Sequence, residues 1–278
     1  MTGKTDKRAE ALFRTVRDYY GSTQSLAHYS DSARNGGLYP PERAMVERFM
    51  AAPATVLDVG CGAGREAFDL TRMGFSVTGV DITPSLVNKA KGTAADLGLN
   101  VQFCLGNGRS LDFPDESFDY VLLITQMIHH VPHKTNRQRL LGEARRVLKA
   151  EGTILLTYHD WDIEKDHLPW GWKNGKHCGA PPPEELPETL KPLESGDSFT
   201  RDCQGTLTDT FGFVHHFTRR EMEEEVVKAR LKIEDRAAFE TVAGGEPDEF
   251  WNPTQILVLK CAGRLNAHAE PAHAADPP

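Results

Sequence analysis

An acid followed by three alternating glycines, Asp58-Val59-Gly60-Cys61-Gly62-Ala63-Gly64, leaves the apolar run Thr55-Val56-Leu57. That order describes a strand that stops in a loop built for close approach of backbone to a ligand. The chemistry it points to is the binding of a nucleoside-type cofactor. Glycine turns also serve tight bends that bind nothing, and Gly62-Ala63-Gly64-Arg65-Glu66-Ala67 formally matches the dinucleotide fingerprint that ends in alanine. Asp58 argues against a dinucleotide. A central parallel strand is buried on both faces, so the residue before the turn should be apolar, and an acid there needs a polar role. A cofactor carrying positive charge would supply that role.

A second set of reactive side chains lies later in the chain. Cys178 and Cys203 share a segment with His167, His177, His215 and His216, but their spacing fits no standard metal site, so no metal is expected. With Cys61, Cys104 and Cys261 they make five cysteines without a close pair, which reads as reduced thiols.

The elements that must position these residues alternate. Thr55 to Val59 reads as a first strand, and Arg65 to Met73 as a helix with Ala67, Phe68 and Leu70 on one face. Ser76 to Val80 is a second strand ending on Asp81; Thr83 then caps a helix with Pro84 at its first position. Val101 to Leu105, Phe118 to Ile124 and Thr153 to Tyr158 follow as strands three to five, with a helix carrying Leu140, Leu141, Ala144 and Val147 before Gly152. Thr218-Arg219-Arg220-Glu221 is a capping box. Leu231 to Glu240 and Gln255 to Cys261, joined through Gly244 to Pro253, are most simply an antiparallel pair. The fold class is therefore α/β, a doubly wound, mostly parallel sheet closed by an antiparallel pair.

Around that frame, residues 1–50 read as helical, residues 51–263 form the main domain, and the tail 264–278 has nothing to bury. Residues 160–217 are too long and too rich in proline and aromatics for a plain connection, and read as a functional insert. A chain of 278 residues with 39% hydrophobic and 26% charged residues can bury a full core. The net charge of -8 gives no electrostatic footprint for nucleic acid. Without a leader pattern or a membrane-length apolar run, the expectation is a cytoplasmic protein.

Five landmarks in order resemble the class I S-adenosylmethionine-dependent methyltransferases: Val56 to Gly64, Gly79-Val80-Asp81, Leu105-Gly106-Asn107, Phe113 to Asp119, and Arg146 to Gly152. The resemblance covers about Thr55 to Tyr158 and implies a Rossmann-like, seven-stranded sheet and S-adenosyl-L-methionine as cofactor. It implies that Asp58, Gly60, Gly62 and Gly64 serve the cofactor, that Asp81 accepts from its ribose hydroxyls, and that Ile82, Asn107, Gly108 and Thr125 complete its contacts. Asn107 departs from the aspartate more usual in the family, and its carbonyl can accept as well. Arg109 either closes over the adenine or faces solvent.

In similar proteins the amino-terminal helices fold over the cofactor as a lid. On that basis Tyr20 packs on the sulfonium methyl group, Arg34 pairs with the cofactor carboxylate, and Tyr29 joins the substrate pocket. His130 is the first candidate for a catalytic base and His129 the second, against the alternative that either is held in the wall by an orienting hydrogen bond. His159 and Trp161, which leave strand five directly, are expected to line the acceptor pocket, with Trp170 and Trp172 further along the insert.

The function implied is methyl transfer to a nitrogen, oxygen or sulfur atom of a small-molecule substrate. One alternative is a tRNA methyltransferase, since Ile128-His129-His130 and Gly212 to Phe217 look similar to the wobble-uridine group. Another is a regulatory protein that binds the cofactor without turnover.

Overall fold

The computed structural model describes residues 2–163, 188, 194–200, 212–243 and 254–262. Trp170, Trp172, His167, His177, Cys178, Cys203, most of the insert and the tail from 264 lie outside the described residues. Three amino-terminal helices, α1 (Thr2–Tyr20), α2 (Thr23–Asn35) and α3 (Pro40–Phe49), precede β1 (Thr55–Val59) and α4 (Arg65–Arg72). The chain then alternates through β2 (Ser76–Asp81), α5 (Pro84–Leu97), β3 (Gln102–Leu105), β4 (Phe118–Leu123), a 3-10 turn at Met127–His130, α6 (Lys134–Val147) and β5 (Leu148–His159). A two-stranded ribbon of β6 (Asp197–Thr200) and β7 (Gly212–His215) follows. Then come α7 (Arg219–Lys228), β8 (Leu231–Ala238), α8 (Phe239–Ala243) and β9 (Thr254–Cys261).

The main sheet has seven strands in the order β3-β2-β1-β4-β5-β9-β8. All pairings through β5 are parallel; β9 runs antiparallel to both β5 and β8. The strand order reverses between β1 and β4, which opens a crevice at their carboxyl ends, the place where such sheets take ligands.

Strand period two explains the layers. In β1, Val56 turns to one face with Phe68, Leu70, Leu86 and Ala90, while Leu57 and Val59 turn to the other with Leu140, Ala144, Met222 and Val226. Both faces are therefore covered by helices, and truncating a fully buried residue such as Leu57 would cost about 2–5 kcal/mol. Pro84 opens α5 behind Thr83 and Gly98 closes it in the left-handed conformation, as the residue types dictate.

Two elements differ from the sequence expectation. Gly152, expected to end a helix, lies inside β5, which begins directly after α6; a Cβ there would sit 2.7 Å from Leu148 Cδ1 and 2.9 Å from the Asp119 carbonyl oxygen, so close packing requires the glycine. The strand expected over Leu231 to Glu240 ends at Ala238, where α8 begins, and Thr218 caps α7 by accepting from the Glu221 N–H at 3.2 Å.

Candidate functional site

The crevice at the β1/β4 reversal is a cavity walled by the glycine loop, the ends of β2 and β3, the turn after β4 and the amino-terminal helices. The loop after β1 bends through left-handed backbone: Gly60 has φ +84 and Gly62 has φ +51. A Cβ on Gly60 would lie 2.3 Å from Met127 Cγ, whereas one on Gly62 meets nothing within 4 Å and would project into open space beside the cavity. Only glycine allows both the turn and the approach of a ligand to its backbone. Gly64 instead serves packing, because a Cβ there would meet the Phe68 and Phe103 rings at 2.8 Å.

Asp81, at the carboxyl end of β2, ties the loop to the sheet. Its carboxylate accepts from the Gly62 N–H at 3.0 Å and the Thr83 N–H at 2.7 Å. Burial pushes this carboxyl up, while the amides of Thr83 and Gly62 oppose the shift. Ile82, Gly106, Asn107 and Gly108 continue the wall. The Asn107 side-chain oxygen accepts from the Arg109 N–H at 3.2 Å, which leaves it one more lone pair. Arg109 closes over the site: its guanidinium stacks 4.0 Å above the Phe13 ring and donates to Glu10 and Asn136.

At the opposite end, Thr125 and Gln126 follow β4 with φ of 54 and 55. A β-branched residue in that region is strained by about 1–3 kcal/mol and persists only where its surroundings hold it. They do. Thr125 Oγ1 lies 2.8 Å from Glu66 and 3.1 Å from Glu42, and accepts from Arg65 at 3.2 Å; the Gln126 N–H donates to Thr157.

Arg65 is the center of that network. It donates to both oxygens of Glu42 at 2.6 and 2.8 Å, to Glu66 at 2.5 Å and to the Gly37 carbonyl, and it stacks 4.0 Å over the Tyr39 ring. Burial works to lower its pKa, but Glu66 and Glu42 outweigh that and raise it. Burial likewise raises Glu42, with Arg65 opposing.

Asp58 lies below the wall rather than in it: it is 2% exposed, and Oδ2 has no hydrogen-bond partner among the described residues. Burial pushes its carboxyl well up, Glu66 adds to this, and Arg65 opposes. A cationic ligand in the cavity would offset that cost. The orphaned acid, the open face of Gly62 and the Asp81 carboxylate are together a fit for S-adenosylmethionine.

Tyr20 and His130 meet across the cavity from the glycine loop. Tyr20 Oη lies 2.8 Å from His130 Nε2, and His130 Nδ1 lies 2.9 Å from the Phe213 carbonyl oxygen. A carbonyl only accepts, so Nδ1 carries the proton and Nε2 accepts from the tyrosine hydroxyl. Burial lowers His130, the Phe213 carbonyl opposing, and burial raises Tyr20 well above its ordinary value, with Tyr29 and Tyr19 adding to it. The ring is neutral and the phenol keeps its proton. Tyr29 lines the cavity too, its ring 5.5 Å from that of Tyr20.

Other sequence-predicted residues stand elsewhere. Arg34 does not line the cavity; it forms a 2.5 Å ion pair with Asp96, both side chains largely exposed. His129 is buried behind the wall, where Nε2 accepts from the His159 N–H at 3.0 Å, and burial followed by His159 holds its pKa well below the ordinary value. His159 stacks edge-on against His129, and Trp161 tilts over His216 with its N–H on the Phe217 carbonyl; neither lines the cavity. The stretches 128–130 and 212–217, far apart in the chain, meet through the His130–Phe213 contact.

Sequence reasoning missed Glu42, Arg65, Glu66 and Phe213. Arg65 and Glu66 follow the glycine loop directly, and their position at a helix start facing the ligand was a usable signal; Glu42 and the Phe213 carbonyl had none. Among the described residues, Glu194, Asp197 and His215 also bring possible metal-ligand atoms within 4.8 Å of one another.

Comparison with known proteins agrees with this geometry. Residues 56–152 match the model of a family described as a methyltransferase domain. The demethylmenaquinone methyltransferase of Tropheryma whipplei (strain Twist) is 36% identical over 155 residues, 55% of this chain and 60% of that one. A solved structure of a SAM-dependent methyltransferase from Methanosarcina mazei superposes with a TM-score of 0.60 at 25% identity, covering 82% of this chain and 100% of the other. The CcbJ methyltransferase of Streptomyces caelestis shares the fold, with a TM-score of 0.61 at 19% identity over 84% of this chain and 96% of that one. The chain spans 40% and 60% of the lengths of the first curated relatives it matches. No described helix is long and apolar enough to cross a membrane.

Proposed function

Because the chain belongs to the class I S-adenosylmethionine-dependent methyltransferases, we propose that it transfers a methyl group to a nitrogen, oxygen or sulfur atom of a small molecule. The observation that carries this reading is a single cavity walled on one side by the glycine loop and Asp81 and on the other by the Tyr20–His130 pair. S-adenosylmethionine, when bound, supplies a methyl group activated by a sulfonium. Asp81 would hold the ribose, Asn107 and Gly108 the adenine, and the Gly60–Gly62 backbone the amino-acid end.

The chain's own groups then do three things. Tyr20, Tyr29 and Met127 exclude water from the space before Thr125, which favors displacement at carbon over hydrolysis. Strained Thr125 and Gln126 fix the wall against which the acceptor aligns. When the acceptor atom loses its proton, Tyr20 Oη takes it while passing its own to His130 Nε2, leaving an imidazolium whose Nδ1–H stays on the Phe213 carbonyl.

Incubation with methyl-labeled S-adenosylmethionine and separate pools of metabolites and undermodified tRNA tests the reading. Label in a small molecule is the expected result. Label confined to RNA, or consumption of donor without transfer, would overturn it.

A further inference from the structure

We propose that His215 is a positioning residue, an imidazolium clamped between Asp197 and Glu221, which holds β7 so that the Phe213 carbonyl fixes the tautomer of His130. This rests on the reading of Tyr20 and His130 as the acceptor-side pair.

The charge of His215 follows from its partners. Nδ1 lies 2.7 Å from Asp197 Oδ1 and Nε2 lies 3.0 Å from Glu221 Oε1. A neutral imidazole has one N–H, so its other nitrogen would turn a lone pair on a carboxylate oxygen. With both nitrogens donating, both contacts are satisfied and the ring is a cation, although the side chains of His215 and Asp197 are fully buried.

The neighborhood needs that cation. Glu194 and Asp197 face it from the β6 side, Glu221 and Glu225 from α7, and Arg137 from α6. Arg137, itself fully buried, bridges Glu194, Glu221 and Glu225 at 3.0 to 3.5 Å. Without His215, Asp197 would lose its cationic partner, and the guanidinium of Arg137 would be left to balance the three glutamates alone. Burial works to lower His215, but its hydrogen bonds to the carboxylates of Asp197 and Glu221 raise it overall, against Arg137. The clamp is therefore complete below the ordinary histidine value and is lost as pH rises through the raised one.

Glu194, Asp197 and His215 are not an open ligand set. Glu194 accepts from the Lys134 N–H at 3.0 and 3.1 Å and from Arg137, and Asp197 Oδ2 accepts from the Glu194 N–H at 3.0 Å. Each carboxylate oxygen already has a donor, both ring nitrogens of His215 are committed as donors themselves, and a guanidinium adjoins them.

The link to chemistry is β7 itself. Its Phe213 carbonyl accepts from His130, while the Phe213 side chain packs in a cluster with Leu12, Val16 and Phe199, against which Tyr20 leans. One strand thus sets both members of the Tyr20–His130 pair, and His215 anchors that strand two residues on.

Long-range proton–nitrogen NMR of the histidine rings in the whole chain tests this without an acceptor. At about pH 7, where a free histidine is largely neutral, His215 should show both ring nitrogens protonated and His130 only Nδ1. In Asp197→Asn, and separately in His215→Gln, the Nδ1–H form of His130 should fall from dominant to about half. Affinity for S-adenosylmethionine should stay within about twofold. A single ring proton on His215 at neutral pH would overturn the proposal, as would an unchanged His130 in both variants. Failure of the unmodified protein to bind S-adenosylmethionine would instead sink the methyltransferase reading and leave the clamp standing.

Discussion

The two sides of the cavity are built in different ways. The donor side is closed by backbone groups near in sequence, as when the Gly62 N–H reaches Asp81, 19 residues on. The acceptor side is closed by side chains far apart: Tyr20 meets His130 across 110 residues, and His130 meets Phe213 across 83. The contrast teaches that a ligand held by backbone can be specified by local spacing. A proton path needs partners that only the finished fold brings together.

The largest effect is expected on the donor side, where Asp81 ties the glycine loop to the sheet. Asp81→Ala removes the acceptor for two amides and for the ribose, and should weaken S-adenosylmethionine binding about 100-fold by isothermal titration; equal binding would contradict the assignment. Gly60→Ala forces a Cβ against Met127 in left-handed backbone and should lower stability by about 2 kcal/mol in urea unfolding.

Across the cavity, Tyr20→Phe keeps the ring and loses the hydroxyl, so kcat should fall about tenfold with KM for the donor unchanged. A parallel rise in KM would return Tyr20 to the cofactor side. His130 must be neutral to accept, and burial lowers its pKa. The rate should therefore hold above that lowered value and fall as pH drops through it, below the ordinary 6.5.

The smallest effect belongs to Arg34→Ala. Its exposed pair with Asp96 should contribute no more than about 0.5 kcal/mol, and donor affinity should not change.

This division also explains what could be read from the chain. The sheet and the glycine loop were legible because period two, period 3.6 and glycine spacing are local consequences of backbone geometry. Asp81, Asn107 and Gly108 followed because strand ends deliver them to the crevice. His130 was legible as a residue type but not as a tautomer, since its state is set by Tyr20 and Phe213. His129, its neighbor in sequence, is indistinguishable by type yet buried away from the cavity on the His159 backbone. Arg34 has the charge that a lid helix over the cofactor carboxylate would need, yet its partner is Asp96, 62 residues away.

Hydrogen exchange of the whole chain with and without S-adenosylhomocysteine is the decisive measurement of where the cofactor sits, because it needs no acceptor. Exchange of the amides at residues 60–64, 81–83 and 106–109 should slow. The β6–β7 ribbon should change little. Protection confined to that ribbon, or absent from the glycine loop, would contradict this placement of the cofactor.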